Sequence, residues 1–191
     1  MKKILTLFMS VLFAMACSAK PQAEKKETKP LTNAKTLVVY FSATGTTQKV
    51  AENLAKALHT TAVEIKPLFP YTSEDLDWTN KSSRSSVEMK HKSFRPEIVK
   101  NDLDLSGYDT IFLGFPIWWG TAPRVVQTFL EGQNFANKTI ILFATSGSSG
   151  MGNTDKDLKP SVDASAKIIK GKTLNGNPSV EELKTWAETI N

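Results

Sequence analysis

The sequence predicts an α/β fold, a doubly wound sheet of five parallel strands covered by helices on both faces. Two observations carry the prediction. Short, uniformly apolar runs recur along the chain, too continuous for half-exposed strands and typical of strands buried on both sides. Segments of helical periodicity separate them, so each strand returns to its neighbour through a right-handed crossover. No internal repeat interrupts the alternation.

The first run is Leu37-Val38-Val39-Tyr40-Phe41, followed by a helix with Val50, Leu54 and Leu58 along one face. Ala62-Val63-Glu64-Ile65 reads as a weaker second strand nearer a sheet edge. The connection from Pro67 to Asp104 is long and holds one helix at about Ser82 to His91. Arg84, Lys90, Lys92, Arg95 and Lys100 lie on or near it and read as a solvated basic face on a crossover helix. The third and fourth strands are Thr110 to Gly114 and Thr139 to Phe143. Between them Pro123 opens a helix that carries Val125, Val126, Phe129 and Leu130. Lys167-Ile168-Ile169 supplies the fifth strand. The last helix starts at Ser179 with Glu182 three residues on, a capping-box signature, and its apolar face is Val180, Leu183, Trp186, Ala187 and Ile190.

The net charge of +5 suggests at first an anionic partner. Its location removes that reading. Residues 1–35 hold seven of the 24 basic residues and two of the 19 acidic ones, and the remaining chain holds 17 of each. The domain is neutral, and nothing in it argues for nucleic acid. Lys2 and Lys3 precede an uncharged stretch, Ile4 to Ala16, that ends at Cys17. This is the pattern of a secretory signal, and it resembles a bacterial lipobox, which implies a lipid on Cys17 and a membrane-anchored protein facing the periplasm or cell exterior. Cys17 is the sole cysteine, so the domain has neither disulfides nor thiolate metal sites. Residues 18–35, rich in Lys, Glu, Pro and Thr, read as a solvated tether, and the domain as residues 36–191. His59 and His91 read as surface residues, and no G-x-S-x-G elbow supports a serine nucleophile.

In a doubly wound sheet, ligands sit beyond the carboxyl ends of the strands. Three loops expected there are unusual. After the first strand, Ser42-Ala43-Thr44-Gly45-Thr46-Thr47 leads directly into a helix. Hydroxyls and a glycine at a helix N-terminus can cradle a phosphate with neutral donors. The loop has neither the lysine of a Walker A motif nor a dinucleotide fingerprint. After the third strand, Pro116-Ile117-Trp118-Trp119-Gly120 places two adjacent indoles in one loop, so at least one of them should be exposed and able to stack on a planar ligand. After the fourth strand, Ala144-Thr145-Ser146-Gly147-Ser148-Ser149-Gly150-Met151-Gly152, with three glycines and four hydroxyls, allows close backbone approach with many donors. Together they fit a flat heteroaromatic ring joined to a phosphate by a short polar chain, and FMN is such a molecule.

With these motifs the sequence resembles the flavodoxin family, in the wording S-x-T-G-x-T, then P-I-W-W-G-T, then a Gly/Ser-rich third loop, over about Thr36 to Ile190. Arg95-Pro96-Glu97-Ile98 is similar to a recurring phrase before the third strand. The resemblance implies strand order 2-1-3-4-5 and FMN as cofactor. It implies that Ser42, Thr44, Gly45, Thr46 and Thr47 hold the phosphate. Pro116, Ile117, Trp118, Trp119 and Gly120 would border the isoalloxazine, and Ser146, Gly147, Ser148 and Gly150 its other edge. Ala43, Thr46 and Ser146 stand where relatives often carry Arg or Gln, Asn, and His.

The expected role is electron transfer with a redox partner protein or a small-molecule acceptor. Two alternatives stay open, an FMN-dependent NAD(P)H:quinone-type oxidoreductase and a flavin-free exported binding or scaffold lipoprotein.

Overall fold

The computed structural model describes residues 35–100 and 102–190. The expected signal peptide, Cys17 and all of the tether but Lys35 lie outside the described residues.

The elements alternate as expected: β1 Thr36–Tyr40, α1 Thr46–Ala57, β2 Ala62–Glu64, α2 Arg84–Lys90, β3 Thr110–Pro116, α3 Arg124–Glu131, β4 Thr139–Thr145, α4 Thr154–Leu158, β5 Lys167–Thr173 and α5 Val180–Thr189. One sheet carries the order β2-β1-β3-β4-β5, and every pairing is parallel. The order reverses between β1 and β3, so the loops that follow those two strands open at the same rim.

Alternation along the strands explains the uniform apolar runs. Val38, Tyr40, Phe112, Ile141 and Phe143 point to one face, where they meet Val50 and Leu54 of α1 and Leu183 and Trp186 of α5. Leu37, Val39, Ile111, Leu113, Ile140 and Leu142 point to the other, against Val125, Val126, Phe129 and Leu130 of α3 and Leu158 of α4. Burial on both faces removes the polar positions that an exposed strand needs.

Some elements differ from the sequence reading. β3, β4 and β5 run longer than the apolar runs, because ladder bonds continue through Pro116, Thr145 and Thr173 once the neighbouring strand is in place. The short α4 carries Thr154, Asp155, Lys156 and Asp157 before its one large apolar residue, too brief for a periodic signal. The capping box at Ser179 and Glu182 forms, but Val180 is 38% exposed and leaves the apolar face. It is the first residue of α5, where the helix has not yet settled on the sheet. The basic face of the long connection is only partly solvated. Arg84 pairs with Glu88 at 2.8 Å and lies 4.1 Å from the centre of the Tyr71 ring. Arg95 reaches across to Glu131 on α3 with two bonds of 2.8 Å.

Candidate functional site

A cavity of about 530 Å³ opens at the carboxyl rim of the sheet, lined by all three expected loops and by part of the β2–β3 connection.

The β1 loop turns into α1 through Gly45, which takes φ +83°, a left-handed conformation that a side chain would strain. No side chain caps α1, no acidic residue occupies its first turn, and its first backbone bond is Lys49 N–H to Gly45 O. The amides of the first turn and the positive end of the helix dipole therefore face the cavity edge without an internal acceptor. Ser42, Thr44, Thr46 and Thr47 line this end. The Ser42 Oγ is buried with no hydrogen-bond partner among the described residues. The Thr47 hydroxyl is not free as expected: it shares a 2.8 Å bond with the Thr145 hydroxyl at the end of β4 and ties the first loop to the third. Thr47 can serve an anion through its amide.

The β3 loop settles which indole is exposed. Trp118 and Thr121 exchange backbone bonds of 2.9 and 3.0 Å around a two-residue turn, with φ +47° at Trp119 and +79° at Gly120. Positive φ at both central positions is the signature of a type I′ turn, which favours Gly or Asn. Trp118 folds back against Phe41 and Tyr71, edge to face, with ring centroids 5.7 and 5.2 Å away. Trp119 is 52% exposed, and both indoles line the cavity. Tyr71 donates to Glu88 Oε2 at 2.5 Å, and burial together with this carboxylate pushes its phenol well above the usual tyrosine range. The hydroxyl stays protonated and holds the aromatic cluster in place.

The β4 loop is braced by Asn175. The Ser146 N–H donates to Asn175 Oδ1 at 2.9 Å, and Asn175 Nδ2 donates to Ser146 O at 2.7 Å. Ser146 Oγ accepts from the Ser149 amide at 3.0 Å, so the chain curls at Gly147 and Ser148. Ser146, Gly147, Ser148 and Ser149 line the cavity.

Eleven of the expected residues therefore meet at one cavity: Ser42, Thr44, Thr46, Thr47, Pro116, Ile117, Trp118, Trp119, Ser146, Gly147 and Ser148. Gly45, Gly120 and Gly150 do not line it. Gly45 and Gly120 shape the backbone behind the wall, and Gly150 lies past the curl. Leu76, Trp78 and Ser85 of the β2–β3 connection also line the cavity without having been expected there, as do Ala43, Thr145 and Ser149, which belong to the rim loops but were not among the expected site residues. The unusual length of the β2–β3 connection was the available signal for the first three.

The arrangement offers neutral donors for an anion at one end and an exposed aromatic face with backbone donors at the other. No curated protein matches the chain. Among solved structures it is similar to a candidate flavoprotein from Bacteroides eggerthii, at 44% identity over 83% of this chain and 98% of that one, with a TM-score of 0.77. It is similar also to one from Bacteroides uniformis, at 46% identity over 82% and 99% of the two chains, with a TM-score of 0.70. A Lactobacillus acidophilus flavoprotein in complex with FMN shares the fold at 20% identity, over 81% and 99% of the chains, with a TM-score of 0.58. The model of the flavodoxin family matches residues 35–190, and the chain belongs to that family.

Proposed function

We propose that this protein binds FMN noncovalently at the rim cavity and works in electron transfer. One observation carries the reading: an uncapped helix N-terminus, an exposed indole and a serine/glycine clamp line a single cavity. Family membership and the FMN-bound Lactobacillus relative support it. Bound FMN supplies the redox chemistry, and the protein supplies position and electrostatics. The α1 amides and Ser42, Thr44 and Thr46 hold the phosphate. Trp119 stacks on the ring system, and the 146–149 loop presents amides to its edge. The Trp119–Gly120 carbonyl, in the turn that borders the cavity, would accept a hydrogen bond from a protonated ring nitrogen of the reduced cofactor.

The visible spectrum of the domain from Thr36 onward tests the reading. FMN added to apoprotein should shift and sharpen the flavin bands and lose its fluorescence. Domain that stays colourless after exposure to excess FMN refutes the proposal and leaves the scaffold alternative standing.

The second reading is quinone-type reduction with a nicotinamide donor, which would bind transiently over the flavin because no separate dinucleotide motif occurs in the sequence. Steady-state NAD(P)H oxidation with a quinone separates an enzyme from a carrier. For placement in the cell, we propose a lipid on Cys17 that anchors the protein outside the cytoplasm. Cys17→Ala should release it from the membrane fraction.

A further inference from the structure

The β2–β3 connection brings Leu76, Trp78 and Ser85 to the same cavity, although none belongs to the three rim loops. Ser85 is 1% exposed, and its Oγ has no hydrogen-bond partner among the described residues. Its amide is fixed by a 3.0 Å bond to Asp75 O, so the residue does not sit there loosely. A buried hydroxyl left without a partner costs about 1–3 kcal/mol. Two such hydroxyls, Ser85 and Ser42, stand in the wall of one cavity. Trp78 is 75% exposed, the most open of the large apolar side chains in the described residues, and it borders the cavity as Trp119 does. An open indole at the edge of a cavity that holds a second open indole offers a flat ring a further surface to bury and stack against.

From these observations we infer that residues 76–85 form a fourth wall of the cofactor site. Ser85 donates a hydrogen bond to bound FMN, and Trp78 lays a second aromatic surface on the flavin. The inference rests on the FMN reading above. It gives the long connection a purpose, because a simple crossover would not carry an orphaned serine and a bare tryptophan to the mouth of the site.

The test is FMN titration of the apoprotein, read by flavin fluorescence, together with the melting temperature of each apoprotein. Ser85→Ala should raise the FMN Kd about fivefold, as loss of one neutral hydrogen bond does, while the apoprotein melts no lower than wild type. That pair of signs is the diagnostic, since a serine with a structural partner would lose stability in the apoprotein. Trp78→Ala, a surface change with no folding risk, should raise the Kd at least tenfold and leave the residual bound flavin more fluorescent. Wild-type protein that takes up no FMN overturns both this inference and the function it rests on. Wild-type uptake with either variant binding within twofold of wild type, or a lowered apoprotein melting temperature for Ser85→Ala, overturns the fourth wall alone.

Discussion

Trp119 adopts φ +47° at the first central position of its turn, where a bulky side chain is held in the left-handed region at a cost of about 1–2 kcal/mol. Nothing in the fold demands an indole there, since half of it faces solvent. On the proposed reading, the strain at the cavity mouth is kept for the contact that the side chain would make with the flavin. Replacing Trp119 with Gly relieves the backbone and removes the aromatic face at once. Chemical denaturation should find the Trp119→Gly apoprotein at least as stable as wild type, while FMN titration finds affinity lowered about tenfold or more. A stability loss without an affinity loss would assign the indole to packing instead. Trp118, adjacent in sequence, has the opposite role: Phe41 and Tyr71 enclose it, and it serves as the backing of the site.

At the scale of elements, the site depends on how the long β2–β3 connection is fastened. Its start and end run alongside each other through Leu68 N–H to Glu97 O and Val99 N–H to Lys66 O, at 2.9 and 2.8 Å. Arg124, 6% exposed at the start of α3, donates to Met89 O at 3.0 Å and to Gln127 at 2.9 Å, and so ties α3 to the end of α2. Arg95 adds the two-pronged bond to Glu131. Hydrogen bonds from Arg95, and then from Ser161, hold the Glu131 carboxyl below the usual glutamate range. A carboxyl with a depressed folded-state pKa contributes stability above its unfolded-state pKa and loses it as pH falls through the folded-state value. The pair is partly exposed, so its worth is about 1 kcal/mol at most. Glu131→Gln should therefore be less stable than wild type at neutral pH, and the gap should close as pH drops through and below the glutamate range. Denaturant unfolding at a series of pH values measures this, and a gap that persists in acid would show that the carboxylate charge is not what the contact uses. In the strands, close approach is decisive: a Cβ on Gly114 of β3 would lie 2.2 Å from the Phe143 ring of β4, so the two residues are chosen together.

At the scale of the whole molecule, charge sets what the site can do. The chain from Thr36 carries equal numbers of acidic and basic residues. A large negative net charge would disfavour an anionic reduced flavin, and this domain carries no net negative charge. The second reduction step should therefore lie at a less negative potential than in an acidic carrier. Potentiometric titration checks it, and a very negative second step would contradict the argument. Among the described residues, no helix is long and apolar enough to cross a membrane.

By itself the sequence determined what depends on neighbours along the chain. Apolar runs and helical periods gave the alternation of elements, Ser179 and Glu182 gave the last helix its start, and three loops announced themselves by composition. Tertiary structure decided what depends on residues far apart. Thr47 and Thr145 lie 98 positions apart, and no local pattern reveals that their hydroxyls are spent on each other. Trp118 and Trp119 are equivalent as letters, and only Phe41 and Tyr71 arriving from other segments half-bury one and leave the other the more exposed. Trp78 and Ser85 reach the cavity because the β2–β3 connection folds back over the rim. Periodicity and turn chemistry act over a few residues, whereas the fate of a hydroxyl or an indole is fixed by whichever distant side chain comes within reach of it.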